Sequence, residues 1–463
     1  MRWSDFRLQQ FREFIRPLRE FTLPLLALVV VVTIWYSERL STPPVEPGPL
    51  HITYWEKWTG FEGDAMRAVV DAYNKKQNRI HVDLLTVSNI ENKTLLAAAG
   101  GNPPDIAGLY GPNVAQYADD SAIIPLDDYC KKYQLGPEHY IPVYWEMGYY
   151  NHHVFALPTT PASTALHIDK AMLRDAHLDP DKAPQTLEEM DAMAAKITTH
   201  KNGQLDKAGF MPAEPGWWNW GWGYVFGGRL WDDKDTLTAN SDENVRAYKW
   251  VQSYSKNYGA TALSSFKSGF GNFSSPQNAF LSGKVAMELQ GVWMYNFIDQ
   301  YAPNLEKPVL DWAAVPFPYP ADRPDLADMT FADEDILVIP RGAKHPDEAF
   351  EFIAYVESQE GMELLCMRQK KHSPLAQVSD DFYKKHPNPY NKLFAELPRG
   401  KNVRTPPKIG IWPEYQAELN NAFEEITLNP DRDVKAVLQH VQDRMQPKFD
   451  AYREIRRLRG DTP

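Results

Sequence analysis

Cysteine is scarce: Cys130 and Cys366 are the only two in 463 residues. Two thiols cannot build a disulfide framework or a Cys-rich zinc site, and they leave open one bridge or two free thiols. An excess of cations is missing too. Lys and Arg number 49 against 61 Asp and Glu, a formal charge of −12. Nucleic-acid binding rests on clustered cations, and this chain carries no such footprint. Catalytic signatures are absent: no Walker A loop, no G-x-S-x-G elbow and no H-E-x-x-H helix occurs. Gly221-Trp222-Gly223 has its next glycine at Gly227, one position too late for a dinucleotide fingerprint. His152 and His153 are adjacent, so in a regular element they point apart and make a poor metal pair. The carboxylate runs Asp119-Asp120, Asp127-Asp128, Glu188-Glu189, Asp232-Asp233 and Asp333-Glu334-Asp335 read mostly as solvated faces or caps. No catalytic residue, metal or cofactor is expected.

Hydrophobic residues make up 43% and charged residues 24%, ordinary for a chain with a real core. Aromatics, at 13%, are the unusual component. Five of the 14 tryptophans fall between Trp217 and Trp231, too densely for core packing alone.

The one long apolar run lies at the front. No charge occurs from Phe21 to Ser37. Those residues reach about 26 Å as a helix, enough for a bilayer core. Arg2, Arg7, Arg12, Arg16 and Arg19 precede them, which places residues 1–20 in the cytoplasm and exports the rest. Trp35-Tyr36-Ser37-Glu38-Arg39-Leu40 lacks a small-residue cleavage pattern, and no cysteine follows to take a lipid. An uncleaved transmembrane signal anchor over 21–37 is therefore expected, with Trp35 and Tyr36 at the interface. The protein would then be a single-pass plasma-membrane protein with its body on the extracytoplasmic, periplasmic side. Residues 38–49, with Pro43, Pro44, Pro47 and Pro49, read as a stiff linker.

Beyond it, strands are predicted over 51–55, 80–85 and 105–110, alternating with helices over 63–76 and 92–99. This argues for an α/β lobe with a largely parallel sheet, whose ligands sit beyond the carboxyl ends of the strands. Further helices are predicted over 186–197 (capped by Thr186 and Glu189), 244–258, 276–281, 345–358 and 434–458, and a buried strand over 336–339.

Six segments then carry a resemblance, in order. They are Leu95 to Ala107 (LLAAAGGNPPDIA), Tyr117 to Tyr129 (YADDSAIIPLDDY) and Phe155 to Lys170 (FALPTTPASTALHIDK). Pro184 to Met190 (PQTLEEM), Phe280 to Trp293 (FLSGKVAMELQGVW), and Ala349 to Phe352 with Ser373-Pro374 complete the series. From about Ile52 to Gln446 the chain resembles the extracellular solute-binding proteins of ABC importers, in the carbohydrate-binding, maltose-binding-protein-like cluster. It departs from that pattern at its front and at Ile168-Asp169-Lys170, where relatives often have Tyr-Asn-Lys.

The resemblance implies a two-lobe α/β periplasmic-binding-protein fold of the class II type, its hinge made of crossing strands. Residues 50–160 plus 328–375 would form the N-terminal lobe, and 161–327 plus 376–463 the C-terminal lobe. A monomer would close on a sugar or oligosaccharide and deliver it to membrane permease subunits. Sugar C–H faces stack on aromatic rings, while carboxylates and amides bond the hydroxyls. The expected ligand-binding residues are Trp55, Glu56 and Trp58 after the first strand, and Tyr110 and Asn113 after the third. Thr160 and Ser163 lie at the first crossover, Asp333 and Glu334 at the second. Trp218, Asn219, Trp220 and Trp222 come from the tryptophan cluster, with Trp293 and Trp412 beyond. A glycan-acting enzyme and a ligand-sensing ectodomain are the alternative readings.

Overall fold

The computed structural model describes residues 25–36, 48–301 and 310–460. The chain divides into two compact units, Met1–Leu50 and His51–Pro463. In the first, residues 25–36 are helical. Among the described residues no helix is long and apolar enough to cross a membrane. The anchor expected over 21–37 extends outside the described residues at both ends. The cytoplasmic segment 1–20 and most of the linker, 38–47, lie outside them altogether.

The described residues from Leu50 onward form twelve strands. They are β1 (Leu50–Glu56), β2 (Ile80–Thr86), β3 (Ile106–Tyr110), β4 (Tyr149–Tyr150), β5 (His153–Val154) and β6 (Leu157–Asp169). There follow β7 (Thr199–Lys201), β8 (Gln204–Phe210), β9 (Val285–Gly291), β10 (Trp312–Val315), β11 (Thr330–Val338) and β12 (Val403–Arg404). One sheet runs in the order β2-β1-β3-β11-β6-β9-β8-β7, with β10 beside β6 and β12 beside β11. β1 and β3 pair in parallel, as do β8 and β9, whereas β11 runs antiparallel to β3 and β6, and β6 antiparallel to β9.

The two antiparallel strands join two α/β halves. One core gathers Ile52, Val69, Ile106, Leu337, Phe352 and Leu365; the other gathers Leu166, Phe210, Trp222, Met287, Trp412 and Leu438. The α/β two-lobe architecture follows directly from this. β6 is buried along almost its whole length, as a strand covered by both halves must be. Pro158 and Pro161 remove two ladder donors from it, and the register with β11 shifts there, between Glu334 and Ile336. The three acidic residues of β11 therefore sit at a local irregularity in the joint.

Local chemistry explains the helices. Gly60–Lys76 buries Ala65, Met66, Val69, Val70 and Tyr73, one stripe at helical spacing. Leu187–Ile197 starts on the reciprocal Thr186–Glu189 capping box. The helix expected over 276–281 is instead a series of turns. There the Asn278 carboxamide accepts from the backbone N–H groups of Phe280 at 2.9 Å and Leu281 at 3.2 Å, offering the chain an alternative to helical bonds. Cys130 and Cys366 are both free and buried.

Candidate functional site

A cavity of about 350 Å³ lies among helices of the second half, and another of about 480 Å³ lies around Arg229 and Arg404. A third, of about 330 Å³, sits at the joint. Its first wall is Trp58 and Tyr110, from the carboxyl ends of β1 and β3. The facing wall is Trp217, Phe273, Trp293 and Phe297, and the floor is Ala162 of β6 with Asp333, Glu334 and Asp335 of β11. Glu62 and Lys371 complete the rim.

The second wall is a chain of ring contacts. Trp217 lies 5.5 Å from Trp293 and 4.4 Å, edge-on, from Phe273, which meets Phe297 at 4.7 Å. Gly291 explains the Gly-x-Trp spacing in the sequence. A Cβ there would lie 2.1 Å from the Trp293 ring, so only glycine lets the indole fold back over the strand end. Trp217 and Tyr110 stay 42% and 40% exposed. Open rings on opposite walls of a concave site are a ready surface for a flat, partly apolar partner.

The floor is a charge network. The buried Lys57 ammonium lies 2.9 Å from Asp335, donates to the Leu109 carbonyl at 3.1 Å, and sits 3.5 Å from Glu56. It also lies 4.8 Å above the Trp58 ring and 4.7 Å above the Tyr110 ring. Burial alone would pull its pKa down, but Asp335 and Glu56 outweigh this and raise it. Lys371 bridges Glu62 at 2.9 Å and Asp335 at 4.0 Å. Burial, then the charge of Asp335, pushes the Asp333 carboxyl up to about 7. Glu334 is raised well above the usual range, by burial first and Asp333 second, and its oxygens have no hydrogen-bond partner among the described residues.

The proton on Asp333 has a stability consequence. In the unfolded chain an aspartate loses its proton near 4. Across about pH 4–7 the folded state therefore holds a proton that the unfolded state does not, and stability falls as pH rises through that window. Asp333→Asn removes this term. Its melting temperature relative to the parent should be higher at pH 8 than at pH 4.5, and a pH-independent difference would contradict the assignment.

Of the expected residues, Trp58, Tyr110, Trp293, Asp333 and Glu334 meet at this cavity. Others stand just behind it. Thr160 donates to Asp335 at 3.2 Å, and Ser163 to the Phe394 carbonyl at 2.7 Å. Glu56 is buried, taking the Tyr54 hydroxyl and the Lys57 N–H. Trp55 is half-buried against the cluster of Leu109 and Ile336, and Asn113 donates to the Tyr117 hydroxyl at 3.5 Å.

The tryptophan cluster divides. Trp220, Trp222 and Trp412 are core residues, 3%, 2% and 0% exposed, and do not line the cavity, because apolar rings of the second half enclose them. Trp218 stacks 5.2 Å from Phe331 and backs Trp293 at 6.3 Å without reaching the cavity. Asn219 lines the 350 Å³ cavity instead. Trp217, Glu62, Phe273, Phe297, Asp335 and Lys371 were not expected from the sequence. The signal for Trp217 was Gly216, whose φ of +95° turns the chain just before it.

Comparison with known proteins gives three findings. Residues 61–363 match the family described as bacterial extracellular solute-binding protein. A curated relative, the sn-glycerol-3-phosphate-binding periplasmic protein UgpB of Pectobacterium atrosepticum, is 24% identical over 252 residues, 51% of this chain and 54% of UgpB. The chain thus spans about half the length of that relative. Among solved structures, CpMnBP1 with mannobiose bound is 27% identical with a TM-score of 0.75, covering 85% of this chain and 99% of that one. The sugar-binding protein MalE from Xanthomonas citri is 20% identical with a TM-score of 0.71, covering 88% and 98%.

Proposed function

We propose a function from one premise: this chain belongs to the bacterial extracellular solute-binding protein family. Its work is then to bind and not to transform. We read it as the extracytoplasmic component of an ABC import system, capturing a sugar or oligosaccharide between two closing lobes and handing it to permease subunits. The lobes would be 50–160 plus 328–375 and 161–327 plus 376–463. A monomer held by an uncleaved anchor over 21–37 is part of this reading, since a tether keeps the body near its permease at high effective concentration.

The observation that carries the ligand assignment is the pair of ring walls across a carboxylate floor. Rings cover the C–H faces of a pyranose, and charge-assisted bonds select its hydroxyls. A protonated Asp333 can donate to a ring or hydroxyl oxygen, while Asp335, fixed by its ion pair with Lys57, offers an acceptor. The floor offers an anion no uncommitted cation among the residues lining it: Lys371 is paired with Glu62, and Lys57 behind it with Asp335. That sets this site against a phosphate ester of the kind named for UgpB and favours a neutral glycan, as named for CpMnBP1.

The test is a titration of the purified full-length chain with mannobiose, mannotriose and glycerol-3-phosphate, read by tryptophan fluorescence and melting temperature. Saturable quenching or enhancement by a glycan, with a higher melting temperature, is expected. A response to glycerol-3-phosphate and to no glycan overturns the sugar assignment.

A further inference from the structure

At the far end of β1 from the cavity, three side chains that the binding site does not use converge on the sheet surface. His51 is the second residue of β1, and His81 and Asp83 stand two apart on the neighbouring strand β2, so the latter two share a face. One donor atom from each lies within 4.8 Å of the others, and this is the one such group of three among the described residues. The Nδ1 of His51 is 2.8 Å from one Asp83 oxygen, and the Nε2 of His81 is 3.7 Å from the other. The two imidazole rings are 4.9 Å apart.

We propose that His51, His81 and Asp83 form a binding site for a divalent transition metal of the zinc class. Two nitrogens and one oxygen bound to a tetrahedral zinc at about 2.0–2.1 Å stand roughly 3.4 Å from one another. Each nitrogen stands near that spacing from one of the two Asp83 oxygens, at 2.8 and 3.7 Å, and one donor atom from each residue lies within 4.8 Å of the others. Imidazole nitrogen with a single carboxylate suits zinc, copper or nickel and is a poor match for calcium or magnesium, which take oxygen shells. The side chains stay 43–61% exposed, leaving the remaining coordination positions to water or to an incoming ligand. Adjacent strands fix the three Cβ positions, so little chain entropy is lost on binding. Other surface pairs, such as His153 with Asp127 at 3.0 Å, belong to no such group of three among the described residues.

The site follows Leu50 directly, at the root of the body where the Pro-rich segment ends. A metal there would clamp β1 to β2. It lies five residues from Glu56, about 16 Å along an extended strand, so it and the cavity can be tested separately.

The experiment is calorimetric titration of Zn²⁺ into the untagged full-length chain, with the melting temperature recorded with and without metal. One saturating site and a rise in melting temperature are expected. His51→Ala and His81→Ala should each weaken binding about tenfold or more, His153→Ala should leave it unchanged, and none of the three should alter the response to glycans. No saturation up to millimolar Zn²⁺, or binding retained by the His51→Ala/His81→Ala double variant, overturns the proposal.

Discussion

Lys57→Met should destabilise the folded body by about 3–5 kcal/mol, the usual cost of removing one partner from a buried ion pair. The ammonium is nearly inaccessible and serves Asp335, Glu56 and the Leu109 carbonyl at once. Methionine fills much of the same space but leaves two carboxylates facing each other across a low-dielectric floor, with Glu56 held in place by the Lys57 backbone N–H at 2.7 Å. The loss comes from stranded negative charge and not from lost volume. Asp335→Asn added to Lys57→Met should therefore recover part of it, so that the double variant unfolds at higher denaturant than Lys57→Met alone. Denaturant midpoints of the three variants decide this. A double variant as unstable as the sum of the singles would mean that the lysine supports the fold by packing. The same substitution should also weaken glycan binding, because Lys57 positions Asp335 at 2.9 Å and lies against the Trp58 and Tyr110 rings.

The parts of this molecule written in local chemistry were legible in its sequence. The strand–helix alternation from His51 to Tyr110 follows periodicities that appear in the structure within a few residues. The Thr186–Glu189 box is a four-residue signal that needs no tertiary context. Parts that depend on what lies opposite were not legible. β6 carries Pro158 and Pro161, which local rules alone would keep out of a central strand, yet two halves of the molecule bury it as one. Residues 276–281 contain helix-compatible side chains, yet a single asparagine amide diverts the backbone. Lys57 and Lys371 read as ordinary surface cations, because nothing in the neighbouring residues reveals the carboxylates of β11, more than 270 positions away in one case and under 40 in the other. The tryptophan cluster marks the same boundary. Density alone pointed to a binding surface, but which indole faces out depends on one turn at Gly216 and on what packs behind each ring.

That division among the tryptophans yields the sharpest expected contrast. Trp293→Ala should cut glycan affinity about thirtyfold or more, since a central aromatic anchor is worth about 2 kcal/mol or more and each 1.4 kcal/mol is tenfold. Trp293→Phe should recover much of it by keeping a stacking face. Trp222→Ala should act in the opposite way. Its indole is 2% exposed and enclosed by Phe210 at 6.2 Å, Trp250 at 5.4 Å and Phe317 at 6.0 Å. Truncation there opens a cavity in the second half, at a cost of about 3–5 kcal/mol in stability. Yet the protein that remains folded should bind with unchanged affinity. Measuring affinity well below the melting transition of each variant separates the two effects. If Trp222→Ala lost the ligand while Trp293→Ala kept it, the site would lie in the second half's interior and not between the ring walls at the joint. Loss in both, with Trp293→Phe failing to rescue, would reduce Trp293 to a packing residue beneath Trp217, whose exposed face would then carry the stacking.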